Sequence, residues 1–131
     1  MPDPGQTLTR LLLFALAGAA GTLARYGLAG LVQKIGGPGF PWGTLAVNLL
    51  GCLFFGFIWS LAEDRFLISS ATRMVLLIGF MGAFTTFSTF AFETTQMLRD
   101  AQWTVAAANL AAQNVAGIVF MIMGMKLGRL L

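Results

Sequence analysis

The chain has 131 residues, 57% of them hydrophobic and only 10% charged, with a mean hydropathy of +0.81. Soluble domains carry about a quarter charged residues, so this is the composition of an integral membrane protein. The net charge of +3 comes from eight basic residues without a basic stripe, which argues against nucleic acid and for interfacial anchors and topology signals. Histidine is absent and Cys52 is the only cysteine, so a disulfide framework, a zinc site, a haem motif and Ser-His or Cys-His catalysis are all excluded.

In chain order, the first nine residues are polar and are expected to fray. Arg10 then precedes the apolar run from Leu11 to Gly21, whose small residues also suit a signal-peptide cleavage site. Three further spans follow and the run continues past the small residues, which favours a retained helix. Residues 11–24 alone are too short to cross a bilayer. The first span is therefore expected over residues 11–32, carrying Arg25 into the membrane. Two readings of Arg25 stand: it snorkels to the interface, or it faces a water-filled cavity or a polar partner. Residues 36–41, Gly-Gly-Pro-Gly-Phe-Pro, read as a tight turn.

The second span is expected over residues 42–61, inside a charge-free run of twenty-eight residues between Lys34 and Glu63. Asn48 lies well within it and needs hydrogen-bond partners there. It serves either as interhelical glue or as a donor aimed into a pore. The third span, residues 74–92, is free of charge but not uniformly apolar. Thr85, Thr86, Ser88 and Thr89 sit among five phenylalanines in the stretch Gly79 to Phe92. Hydroxyls and β-branched residues beside glycine suit a broken membrane helix, whose freed backbone groups must find partners away from lipid. The fourth span, residues 103–125, carries Asn109, Gln113 and Asn114, the first two on one helix face. The fold class is thus all-α and integral to the membrane: one domain over residues 1–131, four helices, the third broken near its middle. Gly18, Gly21, Gly43, Gly51 and Gly82 are expected to let helices approach closely.

Four spans put both termini on one side together with the connection at residues 63–73. That side holds Arg10, Arg65, Arg73, Lys126 and Arg129, and the other holds Arg25, Lys34 and Arg99. Lys and Arg bias orients membrane proteins, and so small a bias makes insertion in both directions, and an antiparallel homodimer, available. The acids Glu63, Asp64, Glu93 and Asp100 lie close to span ends, whereas the spans offer donors: the Asn48 amide and the hydroxyls, with Arg25 near one mouth. Donors solvate anions. Phe87 and Phe90, about 60° apart around a helix, either pack the bundle or turn their electropositive ring edges to a narrow path. Carbonyls freed between Gly82 and Thr86 suit a monovalent cation.

Three motifs together resemble the Fluc (CrcB-type) fluoride channels of bacteria: Gly79-Phe-Met-Gly-Ala-Phe-Thr-Thr-Phe-Ser-Thr-Phe90 with Glu93, Gly43-Thr-Leu-x-Val-Asn48-x-x-Gly51, and Gly18-x-x-Gly21-x-x-x-Arg25-Tyr26. The resemblance covers nearly the whole chain, in order, and the first motif is the specific one. It implies a dual-topology antiparallel homodimer in the bacterial inner membrane, with two fluoride pores exporting the anion passively. It also implies that Phe87, Phe90 and Asn48 line each pore, with Thr44, Thr86, Ser88 and Thr89 as hydroxyl donors along the path. Arg25 matches a vestibule arginine, Glu93 the acid ending the third span, and Asn109 and Gln113 the polar fourth-span positions facing the pore. A structural sodium ion at the dimer centre is implied, held by the backbone carbonyls of Gly82 and Thr85. Two other readings stand beside this one. A small four-helix multidrug exporter needs a carboxylate deep in its first span, and this one has none. A non-transporting assembly subunit would use the amides as glue and the rings as packing.

Overall fold

The computed structural model describes residues 4–131, and within them the chain is helical apart from short connections. Helix α1 runs Pro4–Gly36 and α2 runs Trp42–Glu63. The third span, Ser70–Arg99, is a composite. It comprises α3 (Ser70–Met74), a π-helical segment (Val75–Met81), α4 (Gly82–Phe84) and, after two extended residues, α5 (Phe87–Arg99). The fourth comprises α6 (Trp103–Ala111), a π-helical segment (Ala112–Ala116) and α7 (Gly117–Arg129). Four helices are thus long and apolar enough to cross a membrane, and the protein is a multi-pass membrane protein.

The fraying expected of the first nine residues is corrected for residues 4–9, which belong to α1; residues 1–3 lie outside the described residues. Proline suits a first helical turn because it has no N–H to lose there, and the Thr9 hydroxyl donates back to the Gly5 carbonyl at 2.9 Å. At 33 residues α1 is about 50 Å long, well beyond the hydrocarbon core of about 30 Å. Arg25 lies within this candidate span, Gly5–Gly36.

The connection at residues 36–41 is stapled by a residue of α1. Gln33 Nε2 donates to the carbonyls of Gly37 (2.6 Å) and Phe40 (2.9 Å), and its Oε1 accepts the Gly43 N–H at 3.0 Å. That N–H belongs to the first turn of α2, where backbone donors have no helical partner. The side chain does the work of a cap that Pro41 cannot supply.

Packing is closest between α2 and α7. A Cβ added at Gly124 would fall on the Leu53 carbonyl, and one at Gly56 on the Met121 carbonyl. Small residues let backbones meet where lipid offers no hydrophobic drive to association. Among the glycines expected to serve this purpose, Gly21, Gly43 and Gly51 do face close neighbours. Gly18 and Gly82 do not: the nearest atoms to their added Cβ lie at ordinary contact distance, 3.8 and 3.9 Å. The buried apolar core is small, Val47, Leu77, Met81 and Phe84, as expected where lipid covers the outer faces. At the end of α2, Arg73 pairs with Glu63 and lies 5.2 Å from the Trp59 ring centroid, while Arg129 Nε donates to Asp64 at 2.8 Å.

Candidate functional site

The third span breaks at Thr85 and Thr86, both extended (ψ 160° and 107°). In lipid such a break needs internal partners for its backbone groups, and α2 supplies them. Asn48 Oδ1 accepts the Thr86 N–H at 2.8 Å, and Asn48 Nδ2 donates to the Thr86 carbonyl at 3.1 Å. One side-chain amide thereby pairs both faces of the broken peptide. The Thr86 hydroxyl then caps α5, accepting the Thr89 N–H at 3.2 Å and donating to Thr89 Oγ1 at 2.8 Å, with Ser88 Oγ 3.4 Å away. Thr85 returns its hydroxyl to the Met81 carbonyl at 3.0 Å.

These contacts set the polarity of the next residue. A backbone N–H only donates, so Asn48 must turn its oxygen to Thr86 and keep its NH₂ for acceptors. The second hydrogen of that NH₂ goes to Gln113 Oε1 at 3.0 Å. Gln113 consequently directs its own NH₂ away from Asn48, and Nε2 is buried without a hydrogen-bond partner among the described residues. Asn48 is thus both glue and part of the cavity wall, with both its donor hydrogens taken. The donor left over belongs to Gln113.

Beside this relay lies a groove of about 300 Å³, walled by Asn48, Thr85, Thr86, Phe87, Phe90 and Gln113, with Gly51, Cys52, Phe55, Asn114 and Met121 completing it. The Phe87 and Phe90 rings meet edge to face, centroids 5.6 Å apart and planes at 66°, the arrangement that ring quadrupoles favour. Their surroundings differ sharply. Phe90 is 7% exposed, whereas Phe87 is 77% exposed on the surface of the chain.

The other expected site residues lie outside the groove's wall. Thr44 donates to Glu93 Oε1 at 2.7 Å, and Glu93 Oε2 is buried without a partner among the described residues. Glu93 lines a second depression of about 390 Å³ with Gln33, Gln96 and Asp100, at the end of the bundle near the first turn. Ser88 and Thr89 are exposed on the first turn of α5 and do not line the groove. Asn109 is fully buried, donates to Thr94 Oγ1 at 3.0 Å, and lies outside the groove's wall. Although four apart in sequence, Asn109 faces α5 and Gln113 faces α2. Arg25 Nη1 lies 3.5 Å from the Thr85 carbonyl, and Gly82 is exposed.

A family model described as CrcB-like protein, camphor resistance (CrcB), matches residues 12–125. The chain belongs to the CrcB family. It is 55% identical over 122 residues to a protein of Nitrosococcus oceani, covering 93% of this chain and 98% of that one. It is 52% identical over 124 residues to one of Solidesulfovibrio magneticus (95% and 99%), and 47% identical over 105 residues to one of Geobacter sulfurreducens (80% and 85%). Each of these relatives is named a fluoride-specific ion channel, FluC, which is a non-enzymatic function.

Some residues that line the groove of this CrcB-family chain were not among those expected there. Gly51, Cys52 and Phe55 follow Asn48 by three, four and seven residues, so helical spacing alone puts them on its face. Gln33 carried no such signal, since nothing in an isolated glutamine near a turn says which carbonyls it will reach. Nor did the π-helical segment that carries Gln113 and Asn114; such segments recur at functional sites.

Proposed function

We propose that the protein is a fluoride-selective passive channel that exports F⁻ through the bacterial inner membrane. It works as a dual-topology antiparallel homodimer with two pores. The observation that carries this reading is the amide relay from Thr86 through Asn48 to Gln113, which leaves an NH₂ unpaired among the described residues, beside a groove that Phe87 and Phe90 help to wall. An anion needs donors in place of its hydration shell, and the positive rim of an aromatic ring adds to them. Thr86 stands with the relay, the Thr44–Glu93 pair carries the polar path on towards the second depression, and Arg25 stands at the vestibule. The names of the relatives point the same way.

Membership of a dimer is favoured by what one chain leaves uncovered. Phe87 and Gly82 are exposed although they flank the break, and a second copy would cover them. The Gly82 and Thr85 carbonyls fit the sodium ion expected at the dimer centre. Thr86 N–H, the ordinary helical partner of the Gly82 carbonyl, is turned to Asn48, and Thr85 is extended. Hard carbonyl oxygens are the donors such an ion prefers, and two chains would supply four of them. When bound, the ion would offer a fixed positive charge near the anion path. Export needs no further energy source, since a negative-inside potential drives each anion outward by about 2.3 kcal/mol per 100 mV.

The test is anion efflux from liposomes loaded with potassium fluoride or potassium chloride, with valinomycin releasing the counter-charge. Rapid loss of fluoride with little loss of chloride is expected. Equal loss of both would remove selectivity from the reading, and no loss of either, from folded protein, would remove the channel.

A further inference from the structure

We propose that Arg25 and a monovalent cation are alternative occupants of the Thr85 carbonyl, so that cation binding releases the Arg25 guanidinium towards the anion path. This rests on the reading of the Gly82 and Thr85 carbonyls as a cation site. Arg25 lies eleven residues before the Gly36 end of α1, about 16 Å along the helix, and is half-buried. Among the described residues it makes no ion pair, and its hydrogen-bond partner is the Thr85 carbonyl at 3.5 Å. A guanidinium at that depth requires acceptors. Thr85 offers one because its carbonyl sits between the end of α4 at Phe84 and the start of α5 at Phe87.

The same oxygen cannot serve two full positive charges well, because like charges at contact distance repel strongly where water is scarce. Either Arg25 holds the carbonyl or the cation does. The exchange takes place next to the groove, since Thr85 is one of its lining residues and its methyl group lies against Gly51. Arg25 is in this sense a positioning residue, whose charge is held back from the path until a cation displaces it.

The experiment measures thermal unfolding of the full-length dimer against sodium concentration, with N-methylglucamine keeping ionic strength constant, for wild type, Arg25→Lys and Arg25→Gln. Exchange predicts that half-saturating sodium falls at least tenfold in Arg25→Gln and stays near wild type in Arg25→Lys, which retains a competing cation. Equal half-saturation in all three overturns the exchange while leaving the cation site standing. Absence of any sodium response in all three overturns both. Where Arg25→Gln does not fold, phenylglyoxal labelling of wild type decides. The Arg25 peptide should react severalfold faster in sodium, measured against Arg65 and Arg99, and an unchanged rate overturns the proposal.

Discussion

Asn48 makes three hydrogen bonds with one amide, and their loss would be felt in two different measurements. Asn48→Ala leaves the N–H and carbonyl of buried Thr86 unpaired. It should lower stability to unfolding in detergent by about 2 kcal/mol and reduce fluoride efflux at least tenfold. Asn48→Asp keeps the acceptor for Thr86 N–H but points a second acceptor at the Thr86 carbonyl and Gln113 Oε1. Its efflux should fall below that of the alanine variant. The two phenylalanines separate in another way. Phe90→Ala empties a buried site and should cost about 3 kcal/mol of chain stability. Phe87→Ala removes an exposed ring, so it should leave the chain's own unfolding unchanged and weaken dimer association, read by sedimentation in detergent. Both should slow fluoride efflux.

At the scale of elements, the ends of α2 and α7 are tied by a carboxylate outside the spans. Asp64 Oδ2 accepts from Arg129 Nε at 2.8 Å and from the Ser60 hydroxyl at 2.7 Å. These two hydrogen bonds hold its carboxyl below the usual aspartate value. A carboxyl whose folded value is depressed stabilises the fold above its unfolded value, near pH 4. That contribution disappears as the pH falls through the lower folded value. Unfolding should therefore be insensitive to this group between pH 5 and 8, and wild type should lose its advantage over Asp64→Asn only below about pH 4. The Gly56 and Gly124 crossings lie deeper along the same helix pair, so the tie secures an end that packing already aligns.

For the whole molecule, the near-balance of basic residues between the two sides matters more than any single contact. Adding two arginines after Arg129 enlarges the bias of one side. The result should be a shift from mixed to uniform orientation, read by labelling a tag from each side of the membrane. Efflux per protein should fall as antiparallel partners become scarce. A unique orientation in the unaltered protein would count against the antiparallel pair. The uneven exposure of Phe87 and Phe90 belongs to this scale as well, since the proposed second chain would have to cover Phe87.

Composition and charge spacing by themselves determined that the chain is helical and membrane-bound, and the Gly-Ala-Phe-Thr-Thr-Phe-Ser-Thr pattern at residues 82–89 located the break in the third span. Those conclusions follow from what lipid demands: apolar length to cross it, and internal partners wherever a helix stops. The motif around Asn48 placed an amide in the second span, but could not choose between glue and donor. The folded chain shows which bonds that amide makes. Because Thr86 presents an N–H and a carbonyl together, it orients Asn48, takes up its hydrogens with Gln113, and passes the free donor to the fourth span. The staple by Gln33, the crossing at Gly124 and the burial of Asn109 against Thr94 were likewise invisible beforehand. A residue's type and depth can be read along the chain, whereas the hydrogen that remains unpaired depends on which neighbours the packing brings within 3 Å of it.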